Sequence, residues 1–91
     1  MVIRYADEFW QNLNEILDFI SANSESNAQN FLNELKSKIM TITDMPYRFH
    51  KNLIANDDNI RDLIFKGYVI SFEVDKKTIK ILTIYKFNLW H

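Results

Sequence analysis

The hydrophobic period of this chain changes once, and that change constrains the fold more than any other feature. Between residues 7 and 45 apolar side chains recur at three- and four-residue steps. From Ile60 onward they alternate. The first spacing lines one face of a helix and the second lines one face of a strand. Phe9, Leu13, Ile16, Leu17 and Ile20, with Trp10 beside them, predict a helix over residues 7–22. Asp7 is its expected N-cap, and Glu8 suits the positive end of the helix dipole. Ala28, Phe31, Leu32, Leu35, Ile39 and Ile42 predict a second helix that stops before Pro46. Either Ser24 or Ser26, the latter with Gln29 in a capping box, can open it. So short a connection makes the pair an antiparallel hairpin.

The β-branched and aromatic run Val2–Ala6 predicts a short strand ahead of the helices. Ile60–Lys66, Tyr68–Val74 and Ile79–Lys86 predict three more after them. Gly67 is expected to relieve crowding in the first tight turn, and Asp75-Lys76-Lys77-Thr78 makes the second. Tyr68, Ile70, Phe72 and Val74 form the expected floor for the helices. Val69, Ser71 and Glu73 face the other way, toward a partly open surface. Residues 46–59 show no period and read as a loop. The fold class is α+β in the order β-α-α-β-β-β, an antiparallel helical hairpin on one face of a small, mostly antiparallel sheet. At 91 residues the chain makes one domain, 1–91.

Composition narrows the chemistry. With one Gly the chain cannot build a phosphate-binding glycine loop, and with no Cys it has no disulfide, thiol nucleophile or thiolate metal site. His50 and His91 lie too far apart to suggest a metal pair, so neither a metal nor a cofactor is expected. No apolar run approaches the ~18–20 residues that cross a bilayer. The N-terminus lacks the pattern of a signal peptide, which points to a cytoplasmic protein without a membrane partner.

The net charge of −1 conceals an asymmetry. Residues 1–45 hold three Lys/Arg against seven Asp/Glu, and residues 46–91 hold eight against five. The basic half is also aromatic. Arg48, His50, Lys51, Arg61, Lys66, Tyr85, Lys86, Phe87, Asn88, Trp90 and His91 are its candidate functional residues. Cations among aromatics can hold phosphates and stack on bases, and Arg, Tyr and Trp equally dominate protein interfaces. Arg61 paired with Asp62 or a helix carboxylate, and Tyr85 packed along its strand, are the ordinary structural alternatives.

The order of elements, with several short motifs, resembles the RelE/ParE superfamily of bacterial toxins over nearly the whole chain. Pro46-Tyr47-Arg48 is similar to a family proline followed closely by a basic residue. Residues 60–72, from Ile60-Arg61-Asp62-Leu63 through Tyr68-Val69-Ile70-Ser71-Phe72, resemble the arginine, leucine and Tyr-x-Ile-x-aromatic pattern of the central hairpin. Ile79–Lys86 resembles the last strand. The resemblance implies the toxin half of a type II toxin–antitoxin module, with a cognate antitoxin as partner.

The superfamily splits by target. RelE-like members cut mRNA on the ribosome, and ParE-like members inhibit DNA gyrase. A ribonuclease needs groups to move protons and cations to hold the phosphorane. The resemblance would supply Arg61, Tyr85, Lys86 and His91 as catalytic residues. Arg48, His50, Lys51, Arg61, Lys66, Lys86, Asn88 and Trp90 would bind the target or its phosphates. Thr83 stands where a last-strand arginine is frequent, and the chain ends without a His-Tyr pair. Its pI of 6.1 is low for a ribosome-bound toxin. The sequence therefore leans toward a gyrase inhibitor. The alternatives are an mRNA endonuclease and, outside toxins, an interaction domain whose open sheet face accepts a peptide.

Overall fold

The computed structural model describes residues 1–87. Its elements are β1 (Val2–Tyr5), α1 (Asp7–Ser21), α2 (Glu25–Met40), β2 (His50–Lys51), β3 (Ile60–Phe65), β4 (Tyr68–Val74) and β5 (Thr78–Lys86). The α+β class and the β-α-α-β-β-β order hold, with one short strand added. Ser24, not Ser26, caps α2: its Oγ accepts a hydrogen bond from the Asn27 amide at 3.1 Å. The cap position of α1 is Ala6, without a side-chain hydrogen bond, so Asp7 is the first helical residue. Its carboxylate serves the helix dipole there, with Glu8 beside it.

The segment read as a plain loop is more structured than its lack of period suggests. Tight 3-10 turns run over Thr41–Thr43 and Pro46–Arg48, the second opened by the fixed φ of proline. His50 and Lys51 then pair with Asp62 and Arg61 to form β2. Strand order across the sheet is β1-β5-β4-β3-β2. β1 runs parallel to β5, and every other pairing is antiparallel. The two helices that separate β1 from the rest of the sheet allow the parallel placement.

The β3–β4 turn needs Gly67 for a different reason from the expected one. A Cβ there would meet nothing within 4 Å, but φ is +83° at Gly67 and +49° at Lys66. Two consecutive positive φ values match the twist of a two-residue hairpin, and only glycine adopts them freely. In β5 the register shifts between Ser71 and Phe72: Ser71 faces Thr83 while Phe72 faces Ile81. Leu82 is the extra residue. Such a bulge reverses the alternation, so Ile79 and Ile81 before it and Ile84 after it all reach the core.

The core lies between the helices and one sheet face. Phe9 and Leu13 enter it from α1, Phe31, Leu35 and Ile39 from α2, and Ile70, Phe72, Ile81 and Ile84 from the sheet. The opposite face is partly open, as expected, with Ile64 50% and Tyr85 40% exposed, but it is covered in the middle. Val69 is 2% and Ser71 4% exposed. Val69 sits between its cross-strand neighbours Ile64 and Tyr85. Ser71 Oγ donates to Asp62 Oδ1 at 2.7 Å, and the Asn52 amide also donates to Asp62 at 3.0 Å. The chain after β2 therefore folds over this face and satisfies the buried hydroxyl.

Candidate functional site

The basic residues singled out in the sequence divide between two ends of the sheet. At the β2 end stand Arg48, His50, Lys51 and Arg61. Register puts Arg61 opposite Phe72, on the helix-facing side. Its Nε donates to the Asp58 carbonyl at 2.8 Å, and its Nη1 to the carbonyls of Tyr47 and Phe49 at 3.2 and 3.1 Å. The guanidinium also lies 5.0 Å from the centre of the Tyr47 ring. Arg61 thus ties three stretches of irregular chain to β3, a use that a fork of fixed donors suits. It pairs with carbonyls, and not with Asp62 or a helix carboxylate.

Lys51 forms an ion pair with Asp58. That contact, a hydrogen bond and a charge together, holds the Asp58 carboxyl below its usual range. Arg48 lies over the Phe49 ring, 5.1 Å from its centre. His50 is exposed and faces Asp62 in register.

At the other end, Lys66 pairs with Glu34 of α2. Tyr85 and Lys86 end β5, opposite Val69 and Tyr68. Arg61 and Tyr85 pair with β4 residues three apart, about 10 Å at strand spacing. They also lie on opposite faces of the sheet, so these two do not converge on one phosphate. Asn88, Trp90 and His91 lie outside the described residues. Within the described residues no group of three or more His, Asp or Glu is placed to hold a metal ion.

Two further surfaces emerge, and of the candidate set only Tyr85 and Lys86 reach the first of them. The first is a groove of about 440 Å³ between the C-terminal half of α1 and the end of β5. Asn12, Ile16 and Phe19 form one wall, and Tyr68, Ile84 and Tyr85 are on the other. Phe19 is 71% exposed. β1 pairs with β5 only as far as Ile81. Beyond it, no strand among the described residues pairs with that edge of β5. The sequence signal was present: the stripe on α1 continues through Ile16, Leu17 and Ile20, yet the helix fully buries only Phe9 and Leu13.

The second surface is the tip of the β2–β3 connection, where Leu53 and Ile54 are each 90% exposed. The backbone beneath them is fixed. Asn52 Oδ1 accepts from the amides of Ile54 and Ala55 at 3.0 and 2.8 Å, while its amide group reaches Asp62.

Comparison with known proteins places this arrangement. The family model for the ParE toxin of the type II toxin–antitoxin system, parDE, matches residues 3–86. The chain belongs to the ParE toxin family. Among solved structures it is similar to the chromosomal ParDE TA system from P. aeruginosa, with a TM-score of 0.78, 15% identity and 97% of each chain covered. It is also similar to the E. coli DinJ-YafQ complex, with a TM-score of 0.61 and 15% identity, over 92% of this chain and 90% of that one. At such identities the likeness shows the shared fold. No curated protein sequence matches the chain. Both the α1–β5 groove and the β2–β3 tip fall inside the span that matches the ParE toxin model.

Proposed function

We propose that the protein arrests bacterial growth as the toxin of a type II toxin–antitoxin pair, by binding and inhibiting DNA gyrase in the cytoplasm. Membership in the ParE family supports this target. The observation that carries it is the dispersal of the cations. Arg61, engaged with three carbonyls, and its cross-strand neighbour Lys51, engaged with Asp58, stand at the β2 end, while Lys66 pairs with Glu34 at the other end of the sheet. Cleaving RNA requires cations and proton-transfer groups gathered around one phosphate. A protein-binding toxin has no such requirement.

The antitoxin, in this reading, lays a segment in the α1–β5 groove. A largely apolar trough beside a strand edge that is unpaired among the described residues suits a chain that orders on binding, because main-chain hydrogen bonds and side-chain burial form together.

The experiment is gyrase supercoiling with purified protein, with and without the product of the adjacent gene. Inhibition that this product relieves is the expected result. The mRNA endonuclease keeps one supporting observation, the adjacent Tyr85 and Lys86 at the end of β5. It predicts cuts in translated mRNA by primer extension, and gyrase left untouched. Harmless expression at high level would instead favour the plain interaction domain.

A further inference from the structure

Leu53 and Ile54 are the most exposed large apolar side chains among the described residues. Exposed apolar surface of this kind is ordinarily tucked against the nearest core or left on a loose loop. Neither happens here. Asn52 holds the turn with its carbonyl oxygen and anchors it to the sheet with its amide group, through Asp62 and the buried Ser71. Asn56 follows in the left-handed region, at φ +53°, which turns the chain back toward β3. Lys51 and Asp58, on the two arms of the connection, close it with an ion pair. The result is an ordered convex knob with two aliphatic side chains at its summit.

From this we infer that Leu53 and Ile54 are the anchor with which the toxin enters an apolar cleft on its target protein. The inference rests on the proposed reading in one respect, that the target is a protein. Charge favours that class of partner. Between Asn52 and Asn59 the connection carries Asp57 and Asp58 and no cation, and Lys51 is engaged by Asp58. With Lys51 and Asp58 neutralising each other, the connection keeps the Asp57 carboxylate and offers no free cation to hold a phosphate backbone. A folded protein cleft, apolar within and bordered by amide or basic groups, fits both the apolar side chains and the Asp57 carboxylate. A second copy of the chain fits poorly. The apolar groove lies at the opposite edge of the sheet, so knob-in-groove contacts would be head to tail and would not close into a dimer. A preorganised anchor loses little freedom on docking, which concentrates binding energy in few residues.

The test replaces both side chains, Leu53→Ser with Ile54→Ser, and uses Met40→Ser on exposed α2 as the control. Each protein is expressed with and without the adjacent gene, and each is purified for thermal melting, antitoxin binding and gyrase supercoiling. The double variant is expected to melt with the wild type, bind the antitoxin unchanged and fail to arrest growth. Its half-inhibitory concentration on gyrase should rise at least tenfold. Growth arrest equal to wild type would overturn the anchor whatever the target. Loss of antitoxin binding would overturn it too, by assigning the knob to the antitoxin. A concentration-dependent oligomer that the double variant abolishes would assign the knob to a second copy and overturn it as well. Failure of the wild-type protein to inhibit gyrase overturns the gyrase reading separately, because the growth-arrest arm still decides the anchor.

Discussion

The two edges of the sheet differ in shape and in how they are held. At the β1–β5 edge a helix with an unfinished apolar stripe stands beside a strand whose outer edge is unpaired beyond Ile81 among the described residues, and the space between is concave. At the β2 edge the irregular chain is pinned by Arg61, Asn52 and the Lys51–Asp58 pair, and its apolar side chains project outward. A concave trough with free backbone groups accepts a partner that supplies a strand or helix. A rigid projection enters a cleft that already exists. One small domain can in this way address two partners without either site overlapping the other.

The comparison can be broken from several sides. The largest stability loss is expected at a site common to both edges. Leu35→Ala removes a fully buried side chain under both layers and should cost about 2–5 kcal/mol, read by chemical denaturation.

Arg61→Ala is next. It leaves three carbonyls without their donor and should cost about 2–3 kcal/mol. For a domain of this size that lowers the melting temperature by roughly 10–20 °C. Toxicity should fall with stability, and a low temperature that restores the fold should restore it. If Arg61→Ala abolishes toxicity at full stability, Arg61 touches the target instead.

Phe19→Asp acts only at the trough. The side chain is largely exposed, so stability should change by less than about 0.5 kcal/mol while antitoxin affinity falls at least tenfold, read by calorimetry.

The smallest effect is the pH response of the knob's closing pair. The Asp58 carboxyl sits below its unfolded value. Its pairing with Lys51 is therefore complete above the unfolded carboxylate pKa of about 3.9 and is lost as pH falls through the lowered folded value. Carboxyl chemical shifts should show Asp58 titrating below the ordinary aspartate value, and Lys51→Ala should raise it toward that value.

Much of this fold was legible because its two hydrophobic periods are clean and their boundaries carry Ser24, Pro46 and Gly67. What stayed hidden has specific physical causes. β2 is two residues long, too short for alternation to register, and His50 and Lys51 are exposed. The parallel pairing of β1 with β5 joins opposite ends of the chain, and no local pattern encodes it. The bulge did leave a trace, since Ile79, Ile81 and Ile84 cannot share one face of a regular strand.

The site was harder to read. Arg61 looks like a free cation in sequence because its acceptors are backbone carbonyls, which every residue carries. Leu53 and Ile54 were too few to form a stripe and stand in a polar turn cluster, so nothing in their pattern distinguishes presentation from burial. Only the anchoring of Asn52 to Asp62 makes that distinction, and it depends on the fold.

The division of labour between the edges is tested most directly by one growth measurement on two variants, each induced alone and with its antitoxin co-expressed. Phe19→Asp should arrest growth and escape rescue by the antitoxin. The Leu53→Ser, Ile54→Ser double variant should leave growth unaffected in both conditions while its antitoxin binding persists. If both variants lose toxicity and antitoxin binding together, or if the double variant arrests growth as the wild type does, the two edges do not divide the work.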